Sequence, residues 1–346
     1  VQHRHAGLPR TEYLAAATCL GGLVSLCLGL VGPFLVLSCG FVITALMHQA
    51  REPTSRLRTP GWSFMAAALW CLGGALFSHW PAASCAWWGI GLAVCLVAWQ
   101  GASYPWSAAG RKILAVGVIA AGGAVGLTAV LEFVATRQEA TVRMAHPNRL
   151  ASFLLMTVPV AYAWGRARRR GPWRLGAVAG GVAMLGGMLV TFSRGGWLGI
   201  LAEILYISPR KRGRAALLVV VALALVWLVL PWEMTGFART LSPGYQTNLS
   251  RLREWGAALR LISEEPVWGV GVGNYARAAG TTSLVPHNFF LHTAAQTGLV
   301  GLALLVTLFW RVWKDLRRRV EGGANPWATA ATVAMVGLLA QGLVDF

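Results

Sequence analysis

Charge is what this chain has least of. Only 12% of its 346 residues are Asp, Glu, Lys or Arg, where a soluble domain carries roughly 25%. With 56% hydrophobic residues and a mean hydropathy of +0.57, that scarcity excludes an ordinary water-soluble globule. Cysteine is sparse too. Cys19, Cys27, Cys39, Cys71, Cys85 and Cys95 all sit within or at the ends of apolar runs, and none forms a C-x-x-C pair. That pattern argues against a metal centre or a disulfide framework and for small apolar packing. The first apolar run lacks a small-residue cleavage site and a second follows almost at once, so it is not a signal peptide. Gly269, Gly271 and Gly273 are spaced G-x-G-x-G with no βαβ pattern after them, which excludes a dinucleotide fingerprint. They read as a tight loop returning the chain to the membrane.

What the chain has in abundance is apolar runs long enough to cross a hydrocarbon core about 30 Å thick. Eleven are legible, at about 12–31, 33–48, 61–79, 83–100, 113–131, 149–165, 174–192, 195–208, 215–231, 288–310 and 327–345. In lipid such segments are helices, because no other open structure satisfies its own backbone. The expected fold is therefore all-α, a polytopic membrane helical bundle. It forms a single transmembrane domain over residues 1–346, with one large outer helical loop at 232–287 between spans nine and ten.

The net charge of +18 invites a nucleic-acid reading, but its distribution opposes it. With the N-terminus in the cytosol, twenty-one of the thirty basic residues fall on the inner side and every inner loop is basic, as the positive-inside rule requires. These clusters orient helices and meet anionic lipid. The other nine basic residues are all arginines, in or beside the outer segments 132–148 and 231–287 or at Arg194. An anionic ligand on the outer face would account for them; solvated surface charge accounts for some, such as Arg239 and Arg277.

Within the outer loop, 248–263 reads as an amphipathic helix near the membrane surface. Leu249, Leu252, Trp255, Leu259 and Ile262 recur at steps of three and four. Arg251 falls at the edge of that stripe, while Arg253 and Arg260 point away toward water. Arg251 either snorkels or serves a ligand. Pro286-His287-Asn288 opens the tenth span. A histidine at a helix N-terminus meets the positive dipole end, which favours the neutral, proton-accepting imidazole; the alternative is a histidine that only anchors the helix. His292 and Gln296 share a face deeper in that span and suit helix–helix hydrogen bonding. Arg194 lies on a Gly-rich reversal, Ser193-Arg194-Gly195-Gly196-Trp197, at membrane level. Glu203 lies near the inner end of its span and reads as snorkelling rather than relaying protons. His146-Pro147-Asn148-Arg149 begins the sixth span on the outer side. Arg149, Arg194 and Arg251 are thus positioned to converge with His287, and the guanidinium fork suits phosphate.

Four ordered stretches carry a resemblance: His146–Ala151, Ser193–Trp197, Arg251–Trp255 running into Pro266–Gly271, and His287–Leu291 through Gln296–Gly301. In order and spacing, across about residues 140–310, they resemble the O-antigen ligase and polymerase superfamily of bacterial envelope glycosyltransferases. The resemblance implies a multi-pass protein of the cytoplasmic (inner) membrane with 12 or more spans and a periplasmic or extracellular active site. It implies a metal-independent transferase without cofactor that passes a glycan from an undecaprenyl-pyrophosphate donor to a glycan, lipid or protein acceptor. By position, Arg194 and Arg251 would hold the pyrophosphate and His287 would activate the acceptor hydroxyl. Asn148, Arg149, Ser193, Trp255, Asn288 and Gln296 would contact substrate.

Two features depart from the family pattern. Members often carry an acidic residue near the position of Gln296, and the chain reads as a fragment, one or two spans short. Polysaccharide ligase, polymerase and protein O-oligosaccharyltransferase are variants of one chemistry. An anion transporter of the bicarbonate type and a purely structural scaffold are the readings from other classes. A transporter would be expected to show internal repeats and helices broken at mid-membrane; no convincing repeat is present.

Overall fold

Serine and asparagine caps set the helix starts that frame this molecule. In the computed structural model, which describes residues 17–18, 61–103, 106–142, 144, 146–167, 170–208, 246–281, 283–323 and 325–344, ten helices follow one another. They are α1 (Trp62–Leu76), α2 (Pro81–Ser103), α3 (Ala108–Thr136), α4 (Pro147–Ala167), α5 (Pro172–Val190), α6 (Arg194–Ile207), α7 (Gln246–Glu264), α8 (Tyr275–Ala279), α9 (Phe289–Glu321) and α10 (Pro326–Gly342). Ser107 caps α3 by accepting the Gly110 N–H, Ser193 caps α6 by accepting that of Gly196, and Asn288 caps α9 by accepting that of Leu291. Each satisfies an amide that a helix start leaves without an internal partner.

The described residues are all-helical. α3, α5 and α9 are long and apolar enough to cross a membrane, and α1 and the first part of α2 are shorter apolar helices. Eight of the eleven expected spans fall on helices. The second and ninth lie outside the described residues, as does the first apart from residues 17–18. α6, like the apolar run that predicts it, has only 14 residues, about 21 Å of rise against a core about 30 Å thick.

α3 and α5 run against each other along a seam of small residues. A side chain at Gly126 would collide with the main chain of Ala183, and one at Gly123 would stand 3.2 Å from the Cα of Gly180. Glycine permits that approach, as membrane helices require where packing must supply what water would otherwise drive. α4 packs on α5 and α10, α10 on α6 and α9, and α1 on α9. Leu150, Leu154, Leu155, Met184 and Met188 are buried at the centre. Leu131, Leu175 and Val182 stay exposed on α3 and α5, as apolar residues facing lipid would.

Three findings differ from the sequence expectations. Glu203 does not snorkel: it is 2% exposed and its carboxyl group lies directly against Gly337 of α10. The apolar stripe of α7 is not covered as one: Ile262 packs against a buried cluster and Trp255 is partly buried. Leu249, Leu252 and Leu259 are exposed, and the buried positions are Ala258 and Leu261. Periodicity reveals that a helix is two-faced but not which medium covers each face.

The third difference is a break in α9 at Gly298, whose φ of 71° and ψ of 176° are non-helical. The glycine loop does more than return the chain: it fills this break. The N–H of Val270 donates to the Ala295 oxygen at 2.9 Å, that of Gly271 to the Gln296 oxygen at 3.0 Å, and that of Leu299 to the Pro266 oxygen at 2.8 Å. The Trp70 indole donates to the Thr297 oxygen at 3.0 Å. The oxygens of Ala295, Gln296 and Thr297 and the N–H of Leu299 thereby find partners, as irregular backbone at such depth requires. Trp268 closes the loop by stacking on Trp70, ring centroids 4.1 Å apart.

Candidate functional site

The last turn of α10 is the hub of the site, and it works mainly through main-chain oxygens. Gln341, 2% exposed, accepts from Ser152 Oγ at 2.9 Å and donates to the Asn148 oxygen at 3.2 Å. This ties α10 to the first turn of α4. The Leu343 oxygen accepts from Asn288 Nδ2 at 2.8 Å, tying in the start of α9. The Val344 oxygen accepts from Arg251 Nη1 at 3.2 Å, tying in α7. Three segments far apart in sequence are so drawn to one rim.

At that rim the imidazoles of His146 and His287 stand with ring centroids 6.4 Å apart. His146 is oriented locally, its Nδ1 accepting the Asn148 N–H at 3.2 Å. His287 has a φ of 51°, a left-handed conformation uncommon for a residue with a Cβ and a type of strain that concentrates at functional positions. Its side chain is partly buried, and its Nε2 lies 4.0 Å from Oε2 of Glu254. Glu254 belongs to α7, one turn beyond Arg251. Its main-chain oxygen is held by the hydroxyl of Tyr275 at 2.8 Å.

Ser193 and Arg194 open α6 at the same end. Phe192, with φ of 49°, turns the chain between α5 and α6 and packs on Phe133 and Trp197. Two residues past Arg194, a Cβ at Gly196 would stand 2.7 Å from that of Ala151 in α4, so the starts of α6 and α4 meet. Arg194 is partly buried there and Ser193 is buried. The positive ends of α4, α6 and α9, with Arg194 and Arg251 among them, make this end of the bundle suited to an anion.

The remaining expected residues divide. Arg149 is exposed beside the rim. Trp255 is partly buried, and its indole N–H is buried without a hydrogen-bond partner among the described residues. Gln296 is not at the rim. It lies two turns into α9, 8% exposed, with its Nε2 3.0 Å from Nε2 of His292. Arg253 is exposed, and Arg260 pairs with Glu264 at 3.4 Å on the solvent side. Glu254, Tyr275 and the turn Gln341–Val344 were missed as site residues. The one available signal was the spacing of Glu254, Ala258 and Leu261, which places an acid on the face that proves buried.

Residues 179–306 match the family model described as O-Antigen ligase, so this chain carries an O-antigen ligase family domain. The match includes Ser193, Arg194, Arg251, Trp255, His287, Asn288 and Gln296. It begins after His146–Ala151, so that stretch joins the site by geometry. No curated protein matches the chain closely enough to be a relative.

Proposed function

We propose that this chain is a membrane glycosyltransferase of the cytoplasmic membrane, its site facing the periplasm or cell exterior. It takes a glycan from an undecaprenyl-pyrophosphate-linked donor and passes it to a hydroxyl on lipid A core, a growing polysaccharide or a protein. The O-antigen ligase match supports this class. The observation that carries the site assignment is the joining of His287's neighbour Asn288 and of Arg251 to adjacent carbonyls, Leu343 and Val344. That arrangement supports reading His287 as the base and Arg251 as a phosphate-binding fork at one rim.

The chemistry follows from charge. As the acceptor oxygen attacks the anomeric carbon, the bond to the diphosphate breaks and negative charge grows on the leaving group. Arg194 and Arg251 stabilise that charge, and fixed cations are most effective where charge develops. His287 takes the acceptor proton. Direct attack inverts the anomeric carbon. Arg149, Asn148, Ser193, Trp255 and Asn288 contact substrate around them, with Gln296 beneath. The basic residues place the N-terminus in the cytosol. Eleven spans would make one transmembrane domain over 1–346, with 232–287 as its outer loop.

The break in α9 is the feature that favours a transporter, since transporters bind ions at interrupted helices. Here the oxygens of Ala295, Gln296 and Thr297 and the N–H of Leu299 are already bonded to residues 266–271 and Trp70, which supports a structural role for the break.

The test is reconstitution with lipid-linked glycan and measurement of released undecaprenyl pyrophosphate. Folded, inserted His287→Ala and Arg194→Ala proteins are expected to lose transfer; wild-type rates from either would end the site assignment.

A further inference from the structure

Three acidic residues lie on or just after α7, and they face different ways. Glu264 and Glu265 are exposed at its end. Glu254 is turned inward, its side chain 13% exposed. It lies on the same face as Ala258 and Leu261, both buried against Val270, Tyr275 and Ala295. A carboxyl group on that face costs free energy unless something compensates it. Its Oε2 is buried and makes no hydrogen bond among the described residues. The group it faces is the imidazole of His287, whose Nε2 is 4.0 Å away.

That distance is too long for a hydrogen bond and short enough for strong attraction once the ring carries a charge. The placement is fixed from behind. Tyr275, fully buried, holds the main-chain oxygen of Glu254 and packs edge-on against His292 of α9, ring centroids 5.6 Å apart. The turn of α7 that carries the carboxylate is thereby referenced to α9, the helix that His287 immediately precedes.

We infer that Glu254 is a positioning residue for His287, its carboxylate orienting the imidazole and balancing the charge the ring acquires during transfer. The inference rests on the transferase reading above. In that reaction a bond forms between the acceptor oxygen and the anomeric carbon. The bond from that carbon to the diphosphate oxygen breaks, and its electron pair stays on the diphosphate. The acceptor proton passes to His287. The ring gains one positive charge at that moment, and the nearby carboxylate lowers the cost of forming it. Glu254 touches neither donor nor acceptor. Its effect therefore falls on turnover rather than on donor binding.

The experiment uses the full chain in vesicles carrying an undecaprenyl-pyrophosphate-linked O-antigen repeat, with lipid A core as acceptor. Glu254→Gln keeps the side chain's size and leaves the Tyr275 bond in place, since that bond goes to the main chain. It is expected to lower kcat by about 10–100-fold with KM for the donor changed by less than about twofold. Glu254→Asp should recover part of the rate, and added formate should partly restore Glu254→Ala. Wild-type kcat in Glu254→Gln, beside an inactive His287→Ala, would overturn the inference and leave the transferase reading standing. An Asp variant no faster than the Gln variant would overturn it too. A wild-type protein that releases no undecaprenyl pyrophosphate would overturn both.

Discussion

The hydroxyl of Tyr275 donates to the main-chain oxygen of Glu254 at 2.8 Å, joining the five-residue α8 to the helix that carries Arg251. Tyr275→Phe removes this bond and nothing else of size. We expect it to lower stability by about 1 kcal/mol, read as a drop in the thermal unfolding temperature of the detergent-purified protein at neutral pH. Burial, and then the Glu254 carboxylate, push the Tyr275 phenol up from 10 to about 12. A raised value means that folding favours the protonated form. Its contribution is full below pH 10 and is lost as pH rises through about 12. The wild type's advantage over Tyr275→Phe should therefore hold at neutral and mildly alkaline pH and shrink across that window.

The seam at Gly298 tolerates no side chain. Its φ is 71°, and an added Cβ would sit on the carbonyl of Val267. Gly298→Ala should destabilise by about 2 kcal/mol or more, from left-handed strain and the clash together. Gly256 is the control: it is exposed on α7 with nothing within 4 Å of an added Cβ. Gly256→Ala should be neutral or stabilise by about 0.5–1 kcal/mol. Unfolding of the two variants side by side separates backbone strain from the general effect of losing a glycine.

Gln341 holds α4 to α10 with two bonds while buried. Gln341→Leu keeps the volume and loses both. A cost of about 1–3 kcal/mol is expected, together with reduced transfer, because the turn that carries His146 and Asn148 is no longer fixed. Full transfer by a destabilised Gln341→Leu protein would show that the α4 start does not serve the reaction.

Arg251 and Arg253 lie two residues apart and face opposite media. Arg251→Ala should lower transfer by roughly 100-fold or more. Arg251→Lys should recover little, because an ammonium lacks the two-pronged geometry. Arg253→Ala, on the exposed side, should leave rates within about twofold. A larger loss at Arg253 than at Arg251 would contradict the orientation of α7.

How much of this was legible in the residues depends on the kind of signal. Eight apolar runs fall on helices because membrane spans announce themselves by length and composition. Arg194, Arg251 and His287 stood out because a cation or an imidazole is unusual at a span's mouth, and the described geometry places all three at one end of the bundle. The turn Gln341–Val344 escaped because it acts largely through carbonyls, which every residue has. Gly298 escaped because one glycine in an apolar run looks like helix packing. Only the approach of residues 266–271, some thirty positions earlier, reveals the break. Glu203 was misread because its neighbour Gly337 is more than a hundred residues distant.

The seam at Gly298 also sets a height. A plain rod can slip along its axis past its neighbours. α9 cannot, because four sideways bonds from residues 266–271 and Trp70 would have to break together. The imidazole just before its first turn is thus pinned at a constant height relative to the neighbouring helices. In the proposed transferase, how far a long-tailed donor must climb before its head meets that ring would be fixed some ten residues below the ring itself.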